Sequence, residues 1–79
     1  MNVYADLIEV NTDCAKYKYG PEPDQESGVI VFDRQTGTIS FLVKAEGIVR
    51  IYAVQSLMRK MKADFDGNIF KEKYAREVG

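Results

Sequence analysis

The residues with the clearest binding chemistry in this sequence are basic, and they are concentrated toward its carboxyl end. A segment predicted to be helical carries several cations, and the residues after it continue the same character: Arg50, Arg59, Lys60, Lys62, Lys71, Lys73 and Arg76. Clustered lysine and arginine side chains neutralise nucleic-acid phosphates or attract an acidic protein. The partner-binding residues predicted from this pattern are Arg59, Lys60, Lys62, Lys71 and Lys73.

These cations also have a purely structural explanation. Cations near the end of a helix complement its dipole and keep the surface hydrated without any partner. Residues 1–33 hold two Lys/Arg and seven Asp/Glu, a charge of −5, while residues 34–79 hold nine and five, a charge of +4. The total is only −1, whereas nucleic-acid-binding domains are usually strongly basic. The charge pattern therefore favours a solubilising role and leaves nucleic-acid binding as the alternative.

The sequence offers little for catalysis. It contains no histidine, the commonest general base and zinc ligand, so Ser-His-Asp and Cys-His nucleophile pairs are excluded. Cys14 is the only cysteine, which rules out an intramolecular disulfide and a thiolate metal site. Asp6, Glu9 and Asp33 could act as paired carboxylates only if folding brought two of them together. We therefore predict a protein that is not an enzyme and that uses no metal or cofactor.

The spacing of the glycines and acids does not match two common ligand-binding motifs. Residues 64–69 place oxygen-bearing side chains at alternate positions, as a calcium loop does. Gly67 is at the fourth position instead of the sixth, however, and the twelfth position is Ala75 instead of glutamate. The glycines also lack the spacing of a phosphate-binding loop. A helix end with exposed acids explains the segment better.

The tyrosines could form a stacking platform for bases or could belong to the core. In the segment 14–19, Tyr17 and Tyr19 alternate with Lys16 and Lys18. Alternate residues of a strand point to opposite faces, so the aromatic rings and the cations are separated. The pattern favours tyrosines that line the core, with their hydroxyl groups at its rim.

The first half of the chain predicts two β-hairpins that would position these side chains. Residues 3–10 and 14–19 alternate around the turn residues 11–13, and residues 29–32 and 38–43 flank a turn that ends in Gly37. Gly37 fits the left-handed position of a type I turn with a G1 bulge. The segment 20–28, with both prolines and two glycines, is predicted to be a long loop outside the sheet.

The second half predicts one helix. From about Gly47, apolar residues recur at spacings of three and four, which forms one stripe: Ile51, Val54, Met58, Met61 and Phe65, with Leu57 beside it. Gly67 is predicted to end this helix as its C′ residue. The β-branched and aromatic residues at 48–52 leave a short strand open as an alternative. In the tail, Phe70 and Tyr74 are four residues apart, which predicts a short helical turn.

These elements predict an α+β fold formed by the single domain 1–79. It would be a four-stranded antiparallel β-meander with one amphipathic helix packed on one face and a short C-terminal extension. The strand 29–32 is apolar on both sides, and the face away from the helix is expected to carry surplus apolar residues: Ile30, Phe32, Leu42 and Ile8. Such a surplus favours either a tail that wraps around or a partner.

The expected protein is small, soluble and cytoplasmic. No apolar run reaches the length of a membrane span, the first residues lack the pattern of a signal peptide, and a lone cysteine suits a reducing compartment. The function predicted first is a non-enzymatic interaction or regulatory module that binds a protein partner or forms a homodimer through its sheet face or edge strand. The second is a nucleic-acid-associated protein, and the third a carboxylate- or lysine-dependent enzyme.

Overall fold

A computed structural model describes residues 2–23, 25–45 and 51–77. The elements are, in chain order, β1 (Asn2–Val10), β2 (Cys14–Gly20), β3 (Gly28–Asp33), β4 (Thr38–Val43), α1 (Ile51–Asp66) and β5 (Lys73–Glu77). The strands form one antiparallel sheet in the order β4-β3-β2-β1-β5, and α1 packs on one of its faces. The predicted α+β fold and four-strand meander are confirmed. No helix in the described ranges is long and apolar enough to cross a bilayer.

Both hairpin turns are closed by side chains that bind the backbone. In the β1–β2 turn, the Asn11 side-chain oxygen accepts hydrogen bonds from the amides of Asp13 (2.8 Å) and Cys14 (2.9 Å). In the β3–β4 turn, the Asp33 carboxylate accepts hydrogen bonds from Gln35 and Thr36 in the same way. Gly37 has a φ of 75°, a left-handed conformation that favours glycine. The left-handed conformation predicted for Gly37 is confirmed, but the predicted G1 bulge is not found at this turn: Asp33 pairs directly with Thr38, and the ladder shift lies between Phe41 and Val43.

Helix α1 buries one apolar face against the sheet. Its buried residues are Ala53, Val54, Leu57, Met61 and Phe65. Most of the predicted stripe is therefore confirmed, but Leu57 lies at its centre, and Ile51, at the first turn, is 61% exposed. The choice between strand and helix at 48–52 is settled for Ile51 and Tyr52, which are helical, whereas residues 48–50 lie outside the described residues.

The end of α1 corrects the predicted cap by one residue. Asn68, with a φ of 61°, is the left-handed residue, and Gly67 precedes it without a positive φ. The amide of Ile69 donates to the carbonyl of Asp64 at 2.8 Å, and the amide of Asn68 donates to that of Phe65 at 2.9 Å. This bonding pattern is a Schellman motif with asparagine at C′, a position that asparagine tolerates because its side chain is short and polar.

The C-terminal extension corrects the sequence-based prediction. It is not a helical turn but a fifth strand, β5, which pairs antiparallel with β1. Tyr74 does reach the core, as predicted, but it does so from a strand position opposite Ala5. The amide of Leu7 also donates to the carbonyl of Glu72 at 2.8 Å. Pairing satisfies the backbone groups of β1 that would otherwise form an edge, and a helical turn could not do this.

The distribution of apolar residues between the two faces also differs from the prediction. Ile30 and Phe32 are buried beneath α1 and do not lie on the opposite face. The outer face, which points away from α1, carries the alternate residues of β3, Val29 and Val31, beside Lys18 and Lys16 of β2. Ile8 and Leu42 are exposed, as expected. The outer face is therefore more polar than predicted.

The connection between β2 and β3 is shorter than the predicted loop. Gly20 and Gly28 belong to strands and pair with Tyr4 and Tyr19, so the prediction that residues 20–28 lie outside the sheet is wrong at both ends. A Cβ atom on Gly20 would lie 2.6 Å from the carbonyl oxygen of Gln25 and 2.8 Å from the Cα of Glu26. The loop therefore turns back and packs closely over the outer face of the sheet.

Candidate functional site: the β4 edge

The five basic residues predicted to bind a partner do not share one surface. Arg59 and Lys60 are exposed on α1, and Lys62, one turn further on, forms an ion pair with Asp66 of the same helix. Two more cations are bound to carboxylates elsewhere: Lys71 to Asp64 at 3.5 Å and Lys73 to Asp6 at 3.7 Å. Asp6 belongs to the outer face, so Lys73 points away from the side that carries α1.

The carboxylates predicted to be able to pair do not meet one another. Asp6 on β1 lies opposite Lys18, whereas Asp33 on β3 lies opposite Cys14, the first residue of β2. Asp33 also accepts the amide hydrogen bonds of its turn. Glu9 accepts a hydrogen bond from the Asn11 side-chain amide at 3.1 Å. None of these arrangements forms a two-carboxylate catalytic site.

Folding does bring Asp6 together with a carboxylate that sequence reasoning assigned only to a loop, Glu26. Both carboxylate oxygens of Glu26 are shielded from solvent, and no donor in the described ranges bonds to them. Burial and, after it, the neighbouring Asp6 raise the pKa of Glu26 to about 7, while Lys18 and Lys73 act in the opposite direction. When protonated, Glu26 can itself donate a hydrogen bond to Asp6, which holds the loop on the outer face.

The tyrosines that alternate with lysines lie in the core, as predicted. The Tyr17 hydroxyl donates to the carbonyl of Lys71 at 2.6 Å, and burial raises the pKa of this hydroxyl to about 12. The Tyr19 hydroxyl accepts a hydrogen bond from the amide of Ala45 at 2.9 Å. The Tyr74 hydroxyl donates to Asp64 at 2.7 Å, which is the main reason that the pKa of Asp64 is lowered. These rings stabilise the fold and do not form a stacking platform.

The candidate binding surface is the β4 edge, the side of Thr38–Val43 that faces away from β3. Among the described strands, β3 is the only neighbour of β4. The strand reads Thr-Ile-Ser-Phe-Leu-Val and contains neither a charged residue nor a proline. Leu42 is 63% exposed and Val43 is 47% exposed. An edge strand of this composition lacks the charges and prolines by which proteins usually prevent further strand pairing.

An apolar groove adjoins the β4 edge on the side of the sheet that carries α1. The helix packs mainly against β1 and β5, so it leaves the helix-facing side chains of β4, Ile39 and Phe41, only half-buried. The surface between β4 and α1 forms a shallow groove that is widely open to solvent, with a volume of about 570 Å³, and we call it the β4 groove. Its lining residues are Ile39, Met58, Arg59, Lys62, Ala63 and Asp66.

A smaller hollow of about 140 Å³ lies further along the same side of the sheet, where Phe41 meets the first turns of α1. It is lined by Tyr19, Phe41, Lys44, Ala45, Ile51 and Val54. The hollow and the β4 groove together give β4 an apolar surface beside its unpaired backbone groups. Within the described ranges, no group of acidic and cysteine residues is arranged to hold a metal ion.

Comparison with known proteins adds no relative. A scan against protein-family models, a search of the curated proteins and a search of the solved structures each find no match to this chain.

Proposed function

We propose that this chain is a non-enzymatic protein-binding module that accepts an extended segment at its β4 edge. The observation that supports the proposal is an uncharged, proline-free edge strand placed directly beside an apolar groove. Backbone hydrogen bonds along an added strand supply affinity, and pockets for its alternate side chains supply specificity. The strand that fits would present apolar residues toward α1 and small or polar residues toward the outer face.

The polar groups in the rest of the molecule have structural partners, which supports a binding role. The buried tyrosine hydroxyls are used in hydrogen bonds that hold the core, and the Glu26 carboxyl faces Asp6 beneath a loop. Cys14 is a free, half-buried thiol, which suits a reducing compartment. On this proposal the module acts in the cytoplasm.

A peptide of residues 36–44 of this chain, which contains the whole of β4, is a suitable probe because it has the pattern described above. In amide NMR spectra of the labelled protein, the peptide should shift the resonances of β4 and of the groove residue Met58. Leu42→Lys should weaken peptide binding at least fivefold, because it places a charge in the edge. Ile8→Lys, a matched change at an exposed aliphatic residue of β1, is the control and should leave binding unchanged.

Equal weakening by both lysine variants, or shifts that avoid β4 altogether, would rule out this edge as the binding surface. Circular dichroism of both variants establishes that the fold is retained. A second extended peptide with acidic residues in place of the apolar ones should not bind, which separates strand addition in the groove from general charge attraction.

Nucleic-acid binding is a second proposal, and it is supported only by Arg59 and Lys60. Both are exposed, and neither forms a salt bridge with another described residue. Binding through them should weaken steeply as salt rises, and the double change Arg59→Glu, Lys60→Glu should abolish it for all sequences alike. Gel-shift measurements that detect no binding at low salt would remove this proposal.

A further inference from the structure

We propose that the strand received at the β4 edge is β4 of a second copy of this chain, paired antiparallel about a two-fold axis through Ser40. This inference rests on the proposed function and names its partner. It would join two five-stranded sheets into one continuous ten-stranded sheet. The composition of β4, its register and the shape of the β4 groove support this pairing.

The composition of β4 permits pairing with itself. An interface about a two-fold axis places the same surface on both copies, so a charge at or near the axis would lie close to the same charge of the second copy. The β4 strand contains no charged residue, and no repulsion arises along its length. Its β-branched and aromatic residues also favour the extended conformation that pairing requires.

The register follows from the pleat of the strand. Ile39 and Phe41 face α1, because they pair with Phe32 and Ile30, which are buried beneath the helix. Antiparallel pairing about Ser40 places Ile39 opposite Phe41 of the second copy, and Phe41 opposite its Ile39. Apolar side chains then meet on the helix side, and the two small Ser40 side chains meet on the outer face.

Neighbouring registers fit less well. Pairing centred on Phe41 would place Ile39 opposite Val43, which lies on the outer face because the ladder shifts between Phe41 and Val43. Pairing centred on Ile39 would place Phe41 opposite Gly37, the left-handed glycine of the turn. If the second strand slipped by a single residue, its apolar side chains would lie on the outer face instead of the helix side. The centre at Ser40 is therefore favoured.

The same arrangement covers the exposed apolar surface. A two-fold axis perpendicular to the sheet keeps the helices of both copies on the same side of the joined sheet. The β4 groove of each copy then faces that of the other across the new strand pair. Ile39, Phe41 and Met58, which are half-buried in one copy, would become more buried, and so would the exposed Ile51.

The opposite edge of the sheet does not offer this gain. If β5 paired with β5 of a second copy about Ala75, Lys73 would lie opposite Glu77 of the second copy. Charge would therefore not prevent this pairing. On that side, however, α1 already packs against β5, and Lys73 is bound to Asp6. An added strand would cover little apolar surface there, so β5 provides the matched control.

Disulfide trapping tests the axis directly. The test protein carries Ser40→Cys in a Cys14→Ser background, and the control carries Ala75→Cys in the same background. Directly opposed residues of an antiparallel pair lie roughly 4.5–5.5 Å apart at Cα, within the range that a disulfide spans. Under mild oxidation with glutathione disulfide, the Ser40→Cys protein should form a covalent dimer at least tenfold faster than the Ala75→Cys protein. Mass spectrometry without reductant measures both rates.

Equal cross-linking of the two variants, together with a monomer mass by light scattering of the unmodified chain at millimolar concentration, would overturn the second-copy inference. The proposed function is decided separately by the peptide of residues 36–44. Binding of that peptide by a strictly monomeric chain would retain the β4 edge as a binding surface and reject the second copy as its occupant. Trapping at Ser40 without peptide binding would retain the dimer and show that its strand must be presented by the folded chain.

Discussion

The two edges of the sheet differ in composition and in how the rest of the chain covers them. At the β5 edge, three of five residues are charged, α1 lies against the strand, and Tyr74 extends from it into the core. At the β4 edge, none of the six residues is charged, the helix is displaced, and the apolar side chains border an open groove. The charges and covering of the β5 edge disfavour the addition of another strand, whereas the composition of the β4 edge permits it. Stability should therefore depend on β5, and association on β4.

The largest effect is expected from Tyr74→Ala. Tyr74 is buried, contacts the rings of Tyr17 and Phe65, and donates a hydrogen bond to Asp64. Its loss should lower the free energy of unfolding by about 3 kcal/mol or more, as for other aromatic truncations in a core. Leu42→Ala on β4 is the control and should change the free energy of unfolding by less than about 0.5 kcal/mol. Urea unfolding of both variants at a concentration where the chain is monomeric makes the comparison, and similar losses would contradict it.

A smaller effect is expected from Glu26→Gln, and it should depend on pH. The pKa of Glu26 is raised from 4.5 to about 7 in the folded chain, so the folded state binds this proton more tightly than the unfolded state. Its contribution to stability is complete below about pH 4.5 and is lost as the pH rises to about 7. The glutamine variant should lack this decline and be more stable than the parent at pH 8, by about 1 kcal/mol after allowance for solvent screening.

Thermal or urea unfolding between pH 4 and pH 9 measures this difference. The control is Glu22→Gln, which changes an exposed acid in the same loop and should leave the pH profile unchanged. Parallel profiles for Glu26→Gln and the parent chain would show that the Glu26 carboxyl does not carry the pH dependence.

Charges placed at Ser40 should tune association without a loss of stability. Ser40 is exposed and lies at the proposed axis, so Ser40→Lys would bring two lysines face to face and weaken association several-fold, equivalent to about 0.5–1 kcal/mol. Ser40→Glu should have a similar effect. A mixture of the two variants should associate more tightly than either alone, which sedimentation velocity can measure. No recovery in the mixture would exclude Ser40 as the axis.

The smallest effect is expected at the exposed rim of β5. The Arg76 side chain donates a hydrogen bond to the Ser56 hydroxyl at 2.9 Å, and both groups are exposed to solvent. Arg76→Ala should reduce the free energy of unfolding by no more than a few tenths of a kcal/mol, because solvent replaces the bond. Association should not change. A shift in association as large as that of Ser40→Lys would place the interface at β5 instead.

The difference between the edges also explains what the sequence could and could not predict. The strands β1 to β4 were predicted because alternation and local turn residues such as Gly37 determine them. The strand β5 was missed because Phe70 and Tyr74 at a spacing of four also suit a helix, and the deciding factor is the distant edge of β1. A strand that depends on a partner more than sixty residues away leaves no local signal.

The candidate site likewise depends on contacts between distant residues. An edge strand was one of the two predicted binding surfaces, beside a sheet face. The β4 groove, however, depends on where α1 lies, and α1 packs mainly against β1 and β5. Likewise, Lys73 was grouped with the helix cations, whereas its place in β5 directs it to Asp6 on the other face. Its surroundings were fixed by strand pairing and could not be read from charge spacing.

Amide hydrogen exchange measured as a function of protein concentration reports on both edges of the sheet in one experiment. Alternate amides of Thr38–Val43 should exchange rapidly in dilute protein and become protected as the protein concentration rises. Amides of Lys73–Glu77 should keep the same protection throughout. Protection at β4 that does not change with concentration, or a change that appears at β5 instead, would contradict the assignment of the β4 edge as the surface that joins two copies.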